Sequence, residues 1–393
     1  MKLTGVIELG RGGIADYAHD QAIALAERDI DFELLCVPSF MEGRSFSYPV
    51  LPILNELRTP HPSRLVRGVK MVKGHLANMK IIARHAAARR SDAVLLHFSE
   101  YMAPLWAWRL RRLRRRGVTM LTVLHDPVRD YVVGPRWWHS LSIRQAYSFL
   151  DAALVHTRDP VPVPEDVRVV WVPYGIHPYP AAQREREAVR AELDIPAQAR
   201  LITSFGYVRD NKNLDLVLRA IADMPDLYLL VAGSEQAGGN RPMSFYRDLA
   251  ATLGCADRCR WLNRFVSTAE AADLMNASDL SLLVYARSFV SSSAALGVTA
   301  NYRLPSLVSN GSATVEALVK QYQLGIWVEP DSIEAIRQGL RAWLEGGLTP
   351  DWAGYGRDHS WTRNAAIVEE TINAAKAAIG GNGGIADQDS PSP

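Results

Sequence analysis

Cysteine is scarce in this sequence. The 393 residues include 3 cysteines, Cys36, Cys255 and Cys259. These thiols are too few for a disulfide framework, and Cys255 and Cys259 lack the second pair or the nearby histidines of a zinc site. The sequence therefore predicts a protein of the reducing cytosol without a structural metal.

Long apolar runs are also missing. No stretch approaches the about 18 apolar residues that a membrane-spanning helix needs. The first apolar run contains Glu8, so we interpret it as a strand and not as a signal peptide. A content of 48% hydrophobic and 22% charged residues is typical of a globular protein in water. We therefore expect a cytoplasmic protein of two or three domains.

The net charge of +2 conceals a difference between the two halves. Residues 1–180 hold 24 lysines and arginines against 17 acidic residues, whereas the rest holds 20 against 25. A basic first half suggests an anionic partner, which would be a membrane surface, a lipid diphosphate or nucleic acid.

Two predicted helices, over residues 64–90 and 102–116, concentrate these cations, and the second also carries Trp106 and Trp108. Basic amphipathic helices with interfacial tryptophan fit an anionic membrane surface, so peripheral attachment at the inner membrane face is one hypothesis. The alternative is a pair of surface helices with solvated cations. Nucleic acid is not expected, since the basic residues follow no nucleic-acid-binding motif.

Short apolar runs separated by helical segments occur along the chain. Such runs, alternating with helices, predict doubly wound parallel sheets. Prolines and a glycine over 173–180 separate a first series of runs from a second, so we predict two Rossmann-like halves of similar size. The predicted strands lie at residues 2–9, 32–37, 93–98, 118–124, 152–156 and 167–172, and then at 201–205, 227–232, 260–262, 280–285, 306–309 and 325–328.

The segment 203–213 opens the second series. A strand runs into Gly206, a polar loop with Arg209 and Lys212 follows, and an amphipathic helix begins at Leu214. A helix N-terminus leaves backbone N–H groups free, and two cations add positive charge at the same place. The pattern predicts an anion site with phosphate as its ligand. The alternative is an ordinary turn with solvated charges.

A second glycine loop, at residues 10–13, follows the first strand. Gly12 and Gly13 lack side chains, so the backbone there can approach a diphosphate closely at the start of a helix. The spacing of Gly10, Gly12 and Ala15, with Glu33 about 20 residues further on, also fits a dinucleotide fingerprint. An NAD-dependent oxidoreductase is therefore an alternative, although it leaves the second cation-bearing loop unexplained.

In this order the motifs resemble the GT-B architecture of nucleotide-sugar glycosyltransferases, and in particular the retaining GT4 family. The likeness covers about residues 3–378 and rests on the order and spacing of the motifs. Besides the two glycine loops, the matching segments are Leu229–Gly233 as the following strand, Arg264-Phe265-Val266 through Asp279 as the base-binding segment, Val172–Ile176 as the crossover between domains, and Trp361 at the start of a last helix.

The resemblance implies an α/β protein with two Rossmann-like domains facing each other across a cleft. It implies acceptor binding by residues 1–178 and nucleotide-sugar binding by 179–358. A helix over 359–378 would return to the first domain, and 379–393 would be a disordered tail. The implied donor-site residues are Gly12, Gly13, Gly206, Arg209, Lys212, Gly233, Arg264 and Phe265.

One departure from the family pattern concerns a pair of glutamates that usually flank the donor. Val298 occupies the second glutamate position, and a serine run lies upstream. This resembles a serine-bearing subgroup in which Ser291, Ser292 and Ser293 would cap a helix and hydrogen-bond the diphosphate. The alternative is plain N-capping. The departure leaves the identity of the sugar open.

Two histidines end predicted strands, where an open α/β sheet binds ligands. His125 resembles the family histidine near the sugar and the acceptor, and we expect it to polarise a donor hydroxyl. His97, together with Tyr17 after the first glycine loop, is predicted to contact the acceptor. A structural role is the alternative for either histidine.

These features predict a retaining glycosyltransferase that moves a hexose from a UDP- or GDP-sugar to a saccharide or lipid-linked acceptor, in polysaccharide or glycolipid biosynthesis. Negative charge develops on the leaving diphosphate, and Arg209 and Lys212 can stabilise it without a metal or other cofactor. Because the paired glutamates are missing, a catalytically silent scaffold that binds a sugar nucleotide is a further alternative.

Overall fold

The computed structural model describes residues 1–57, 62–97, 102–125, 127, 132, 134–236, 239–290 and 294–381. The chain forms two compact units. Of the described residues, the first unit comprises those within 1–156, 160–175 and 360–381, and the second comprises those within 157–159 and 176–359. The segment 360–381 thus belongs to the same unit as the start of the chain.

Each unit contains one sheet in which all paired strands are parallel. The strands of the first are β1 (Lys2–Ile7), β2 (Asp31–Cys36), β3 (Val50–Leu51), β4 (Ala93–His97), β5 (Thr119–Leu124), β6 (Ala152–Val155) and β7 (Arg168–Trp171). Those of the second are β8 (Arg200–Phe205), β9 (Leu227–Ala232), β10 (Cys259–Leu262), β11 (Leu280–Val284), β12 (Ser306–Ser309) and β13 (Gly325–Trp327).

Helices connect the strands, as parallel pairing requires. They are α1 (Gly13–Ala26), α2 (Arg64–Arg89), α3 (Ala103–Arg114), α4 (Arg136–Tyr147), α5 (Arg186–Glu192), α6 (Leu214–Ile221), α7 (Met243–Thr252), α8 (Thr268–Ala277), α9 (Ala294–Asn301), α10 (Ala313–Gln321), α11 (Ile333–Glu345), α12 (Trp352–Asp358) and α13 (Trp361–Gly381). The predicted fold class, two Rossmann-like α/β halves with parallel sheets, is confirmed.

Strand order places the predicted loops at the ligand-binding edge of each sheet. The first sheet has the order β3-β2-β1-β4-β5-β6-β7, and the second has the order β10-β9-β8-β11-β12-β13. The direction of winding reverses between β1 and β4 and between β8 and β11. Ligands of open parallel sheets bind beside such a reversal, at the carboxyl ends of the strands. The glycine loop at 10–13 follows β1, and Gly206 follows β8.

The helix α13 completes the first unit. It packs on α1 and also contacts β5 and β6. Its apolar residues Ala365, Val368 and Ile372 are fully buried in the core of that unit. The helix runs to Gly381, three residues beyond the predicted end at 378, and the rest of the predicted tail, from 382, lies outside the described residues.

The two basic helices of the first unit are only partly buried. On α2 the apolar stripe is buried at Met79, Ile82 and Ala86, but Leu65 is 78% exposed. On α3 Trp106 is fully buried, so the expectation that it is an interfacial residue is wrong. Within the described ranges, no helix has the length and apolar composition that crossing a bilayer would require.

Candidate functional site

The loop after β8 carries the predicted anion site of the second unit. Gly206 has a φ of 89°, in the left-handed region that glycine adopts without strain. The chain then turns so that Lys212 folds back over the strand end, where its Nζ donates a hydrogen bond of 2.5 Å to the carbonyl oxygen of Phe205. The side chain of Lys212 thus lies at the carboxyl edge of the sheet.

Arg209 and Lys212 form a pair of neighbouring cations. Burial, followed by the positive charge of Arg209, lowers the pKa of the Lys212 ammonium to about 7. The Nε of Arg209 is buried and has no hydrogen-bond partner among the residues that the structure describes. Among the described residues, no carboxylate forms an ion pair with either side chain. Two adjacent positive charges without a counter-charge make a site that a dianion such as a diphosphate would stabilise.

The backbone of this loop is held from both sides. Asp210 accepts hydrogen bonds from the backbone N–H of Arg241 at 2.9 Å and from the hydroxyl of Tyr246 at 3.0 Å. On the other side, the backbone N–H of Ala286 donates to the carbonyl oxygen of Asn211 at 2.8 Å. The cations are therefore fixed by their own backbone before any ligand arrives, as preorganised electrostatic stabilisation requires.

Gly233, a predicted donor-site residue, has a packing role in the structure. Its φ is 152°, and a Cβ on it would lie 2.2 Å from the carbonyl oxygen of Gly206. The ends of β8 and β9 therefore meet backbone to backbone. Gly233 maintains the position of the loop that begins at Gly206, whatever further contact it makes to a ligand.

The remaining predicted donor-site residues of the second unit lie outside the Arg209–Lys212 loop. Arg264 forms a bidentate ion pair with Glu270, with one hydrogen bond of 2.6 Å, so its charge is compensated. Phe265 is 79% exposed and available to stack on a base. Ser291, Ser292 and Ser293 lie outside the described residues. Val298, where the resemblance predicted a missing glutamate, is buried against Met275 and Leu304.

In the first unit, the glycine loop leads into the N-terminus of α1. Gly12 has a φ of 94° and no side chain caps the helix. Within the part of the chain that the structure describes, no heavy atom lies within 4 Å of a Cβ built on Gly12 or Gly13. The backbone at these glycines is thus open among the described residues, and the N-terminus of α1 follows β1 at the same sheet edge where His97 ends β4.

His97 and His125 lie side by side at this edge. Their rings stack with centroids 5.5 Å apart, and His97 Nδ1 is 3.2 Å from His125 Nε2. Burial, followed by the charge of His156, lowers the pKa of His97 to about 3. The pKa of His125 is lowered well below its ordinary value by burial and then by its two histidine neighbours. Both imidazoles are therefore neutral at neutral pH.

A row of amides lies behind the two histidines. Gln21 Oε1 is 3.1 Å from His97 Nε2, and Gln21 Nε2 donates to Asn364 Oδ1 at 2.7 Å. Asn364 Nδ2 donates to the hydroxyl of Tyr17 at 2.6 Å and to the carbonyl oxygen of Pro173 at 2.8 Å. Gln21 and Asn364 are 343 residues apart in the chain, so no motif in the sequence pointed to their contact.

Tyr17, which was predicted to contact the acceptor, is fully buried. Its ring packs edge-on against His125 at 4.8 Å and against Trp361 at 4.9 Å, and burial raises the pKa of its hydroxyl. The structure thus places Tyr17 behind the two histidines, where it supports them and cannot reach a ligand directly.

A second buried polar cluster, not predicted from the sequence, surrounds Glu8. Glu8, directly after β1, is 3% exposed, and its Oε1 accepts hydrogen bonds from Asn78 Nδ2 at 3.0 Å and His75 Nδ1 at 3.1 Å. This cluster joins the edge of the sheet to α2. Glu8 indicated that the first apolar run is a strand, but the sequence did not predict its contacts with His75 and Asn78.

Glu33 tests the dinucleotide alternative. An acidic residue that binds a ribose lies at the carboxyl end of the second strand. Glu33 is the third residue of β2, beside Thr4, and its Oε1 is within 2.6 Å of His85 Nε2 and 3.1 Å of Arg89 Nε. Its carboxylate joins β2 to α2 and is not available to a ribose.

Comparison with known proteins extends this description. A family model described as "Glycosyl transferases group 1" matches residues 185–366. The D-inositol 3-phosphate glycosyltransferase of Mycolicibacterium gilvum is 31% identical over 96 residues, which are 23% of this chain. The match spans 22% of the length of that relative. The local likeness therefore concerns one segment and not the whole relative.

Solved structures resemble the chain over almost its full length. WaaG, described as a glycosyltransferase involved in lipopolysaccharide biosynthesis, gives a TM-score of 0.61 at 16% identity and covers 95% of this chain and 99% of its own. Anabaena Alr3699/HepE, solved in complex with UDP and glucose, gives 0.62 at 14% identity, with 97% and 99% covered. At such identities the likeness concerns the fold alone. Residues 185–366 therefore resemble the glycosyl transferases group 1 family, and the chain has the GT-B fold of these glycosyltransferase structures.

Proposed function

We propose that this protein is a retaining glycosyltransferase that moves a hexose from a nucleoside-diphosphate sugar to a saccharide or lipid-linked acceptor. The observation that carries the proposal is the pair Arg209 and Lys212, two adjacent cations without a carboxylate partner among the described residues, at the carboxyl edge of the second sheet. A diphosphate is the ligand that supplies the missing charge.

The same pair would act on the reaction. When the sugar–phosphate bond breaks, negative charge grows on the leaving diphosphate. Arg209 and Lys212, fixed by the Asp210 contacts, would stabilise this charge more in the transition state than in the ground state. Because two fixed cations supply this stabilisation, we propose that the transfer does not depend on a metal.

The comparisons support a sugar nucleotide as the donor. The matched family is one of glycosyl transferases, and HepE was solved with UDP and glucose. UDP is therefore the first nucleotide to test, followed by GDP. In the first unit, we assign His125 to a sugar or acceptor hydroxyl and the backbone at Gly12 and Gly13 to an anionic group of a substrate.

Calorimetric titration with UDP, GDP, dTDP and NAD tests the proposal. We expect one nucleoside diphosphate to bind, and Lys212→Ala to weaken it strongly. The matched control is Lys320→Ala, which removes an exposed lysine paired with Glu316. Binding of NAD alone would overturn the proposal, as would equal nucleotide affinity in the Lys212→Ala variant and the parent protein.

A silent scaffold is the second candidate, because Val298 replaces a family glutamate and lies in an apolar cluster. Such a scaffold would bind the nucleotide without consuming the sugar nucleotide. Release of nucleoside diphosphate from the donor, measured with and without an acceptor extract, separates the two. Acceptor-dependent release supports the enzyme, and nucleotide binding without release supports the scaffold.

We further propose that the enzyme works at an anionic membrane surface, as a peripheral protein of the cytoplasmic side. The support is the exposed part of the basic helices. Leu65 and Val69 on α2 are 78% and 46% exposed beside the exposed Lys70 and Lys73, and Trp108 on α3 is 47% exposed. Exposed apolar side chains among lysines have the composition of an interfacial helix.

A further inference from the structure

A continuous series of hydrogen bonds leads from the backbone at Pro173 to His125 in the first unit. Its members are Asn364 on α13, Gln21 on α1 and His97 at the end of β4. Asn364 is fully buried, Gln21 is 1% exposed and His97 is 4% exposed, so bulk water does not compete for these bonds. The direction of each bond can therefore be derived from its neighbour.

The starting point is a group that can only accept. The carbonyl oxygen of Pro173 accepts from Asn364, which identifies the nitrogen of that amide as Nδ2 and leaves Oδ1 directed towards Gln21. Gln21 must then present its Nε2 to Asn364, because two amide oxygens would repel each other at 2.7 Å. The oxygen of Gln21 is consequently the atom that faces His97.

The remaining steps concern the two imidazoles. Gln21 Oε1 accepts, so His97 carries its proton on Nε2. A neutral His97 has a bare Nδ1, and the low pKa of this buried ring excludes the doubly protonated form at neutral pH. The bond of 3.2 Å to His125 therefore needs a donor on the other side, and that donor is His125 Nε2–H.

We infer that this series of bonds fixes His125 as the neutral tautomer with its proton on Nε2, so that Nδ1 presents a lone pair to the substrate. Gln21, His97 and Asn364 are positioning residues, since they act through His125. The tautomer follows from contacts within the first unit alone. Only the statement that Nδ1 meets a substrate rests on the proposed function.

The tautomer restricts what His125 can recognise. A ring nitrogen with a lone pair accepts a hydrogen bond and cannot donate one. His125 would therefore bind a hydroxyl of the sugar or the acceptor, or take up its proton. It would not stabilise a phosphate or carbonyl oxygen, both of which need a donor.

Nuclear magnetic resonance of the full chain with nitrogen-15-labelled histidine tests the inference without any substrate. The ring signals of His125 are those lost in a His125→Phe variant. We expect a protonated Nε2 and a bare Nδ1 for His125, and the same pattern for His97. The pattern should be unchanged between pH 6.5 and about 8, because burial lowers the pKa of both rings well below the ordinary value. A proton on Nδ1 of His125 would overturn the inference.

A variant gives a second test. Gln21→Glu places a carboxylate beside His97 Nε2, which favours the imidazolium form of His97. His97 would then donate from Nδ1, and the proton of His125 would move to its own Nδ1. Gln198→Glu makes the same change at an exposed position and serves as the matched control. An unaltered His125 tautomer in a folded Gln21→Glu protein would contradict the inferred series of bonds.

The same variant separates this inference from the proposed function. Gln21→Glu leaves Arg209 and Lys212 intact, so nucleotide affinity should stay within about twofold, while kcat for sugar transfer should fall about tenfold or more. If no nucleotide binds to any variant, the proposed function fails and the tautomer result stands. If kcat is unchanged although the tautomer has reversed, the contact between Nδ1 and a substrate is contradicted.

Discussion

The position of Lys212 lowers the stability of the protein but favours the binding of an anion. Its ammonium lies next to Arg209 and donates to a single carbonyl oxygen, that of Phe205. Holding two partly buried like charges together destabilises the fold unless an anion joins them. Such an arrangement is typical of a ligand site, since residues selected for stability alone would be paired.

We therefore predict that Lys212→Ala costs about 2–4 kcal/mol of transition-state stabilisation, which corresponds to a roughly 30- to 900-fold lower kcat/KM. The melting temperature should not fall, because the substitution removes a repulsion. Steady-state kinetics and thermal unfolding measure the two effects, with Lys320→Ala as the control. A Lys212→Ala enzyme of normal activity would rule out the assignment.

The pH dependence of nucleotide binding follows from the same lysine. With a pKa of about 7 in the free protein, Lys212 is mostly neutral at pH 8. A bound diphosphate favours the charged form, so binding at pH 8 should take up a proton, and the affinity should fall as the pH rises above 7. Calorimetry in two buffers of different ionisation enthalpy counts the proton. A Lys212→Arg variant should take up none, and uptake in that variant would point to another group.

At the scale of elements, the contact between the ends of β8 and β9 has a clear consequence. Gly233→Ala would force a Cβ to within 2.2 Å of the Gly206 oxygen at a φ of 152°. We predict a loss of about 2 kcal/mol or more in the free energy of unfolding, together with weaker nucleotide binding because the loop with Arg209 moves.

Urea unfolding measures this loss. Gly356→Ala on α12 is the matched control, because no heavy atom lies within 4 Å of the added Cβ and alanine favours a helix. Equal stability of Gly233→Ala and the parent protein would show that the strand ends can separate at no cost, contrary to the packing described.

The elements also show which features a sequence can predict. Apolar runs such as 93–98 and 227–232 predicted β4 and β9 to within a residue, because buried parallel strands contain little else. The strand β3, Val50–Leu51, was missed because two residues have no periodicity. Trp106 was misplaced because it lies two positions from Trp108, and residues two apart point to different faces of a helix, so one is buried while the other is exposed.

For the whole molecule, the uneven charge leads to a prediction about membranes. The protein should sediment with vesicles that contain anionic lipid, and less so as salt increases, because each exposed lysine contributes about 1 kcal/mol near such a surface. Joint Lys70→Glu and Lys73→Glu substitution on α2 should abolish sedimentation, whereas Lys320→Glu should not. Equal binding to neutral vesicles, or none to either kind, would contradict the membrane proposal.

The sequence predicted the residues of the local motifs but not the residues that support His125, and the difference has a physical reason. Arg209, Lys212 and the glycine loops lie in local patterns, and local patterns are visible in a sequence. The partners of His97 are not local, since Gln21 and Asn364 belong to opposite ends of the chain and meet only in the folded first unit. No spacing rule joins them, so the support of His125 could be found only from the structure.

The place of α13 in the first unit affects how the chain folds during synthesis. A ribosome makes proteins from the N-terminus, and domains usually fold in that order. Here the second unit is complete once residue 359 has emerged, whereas the first unit still awaits the helix that covers α1 and supplies Asn364. The half of the protein that is translated first is therefore the last to reach its native state, and until then the surface of α1 that α13 will cover is available to chaperones.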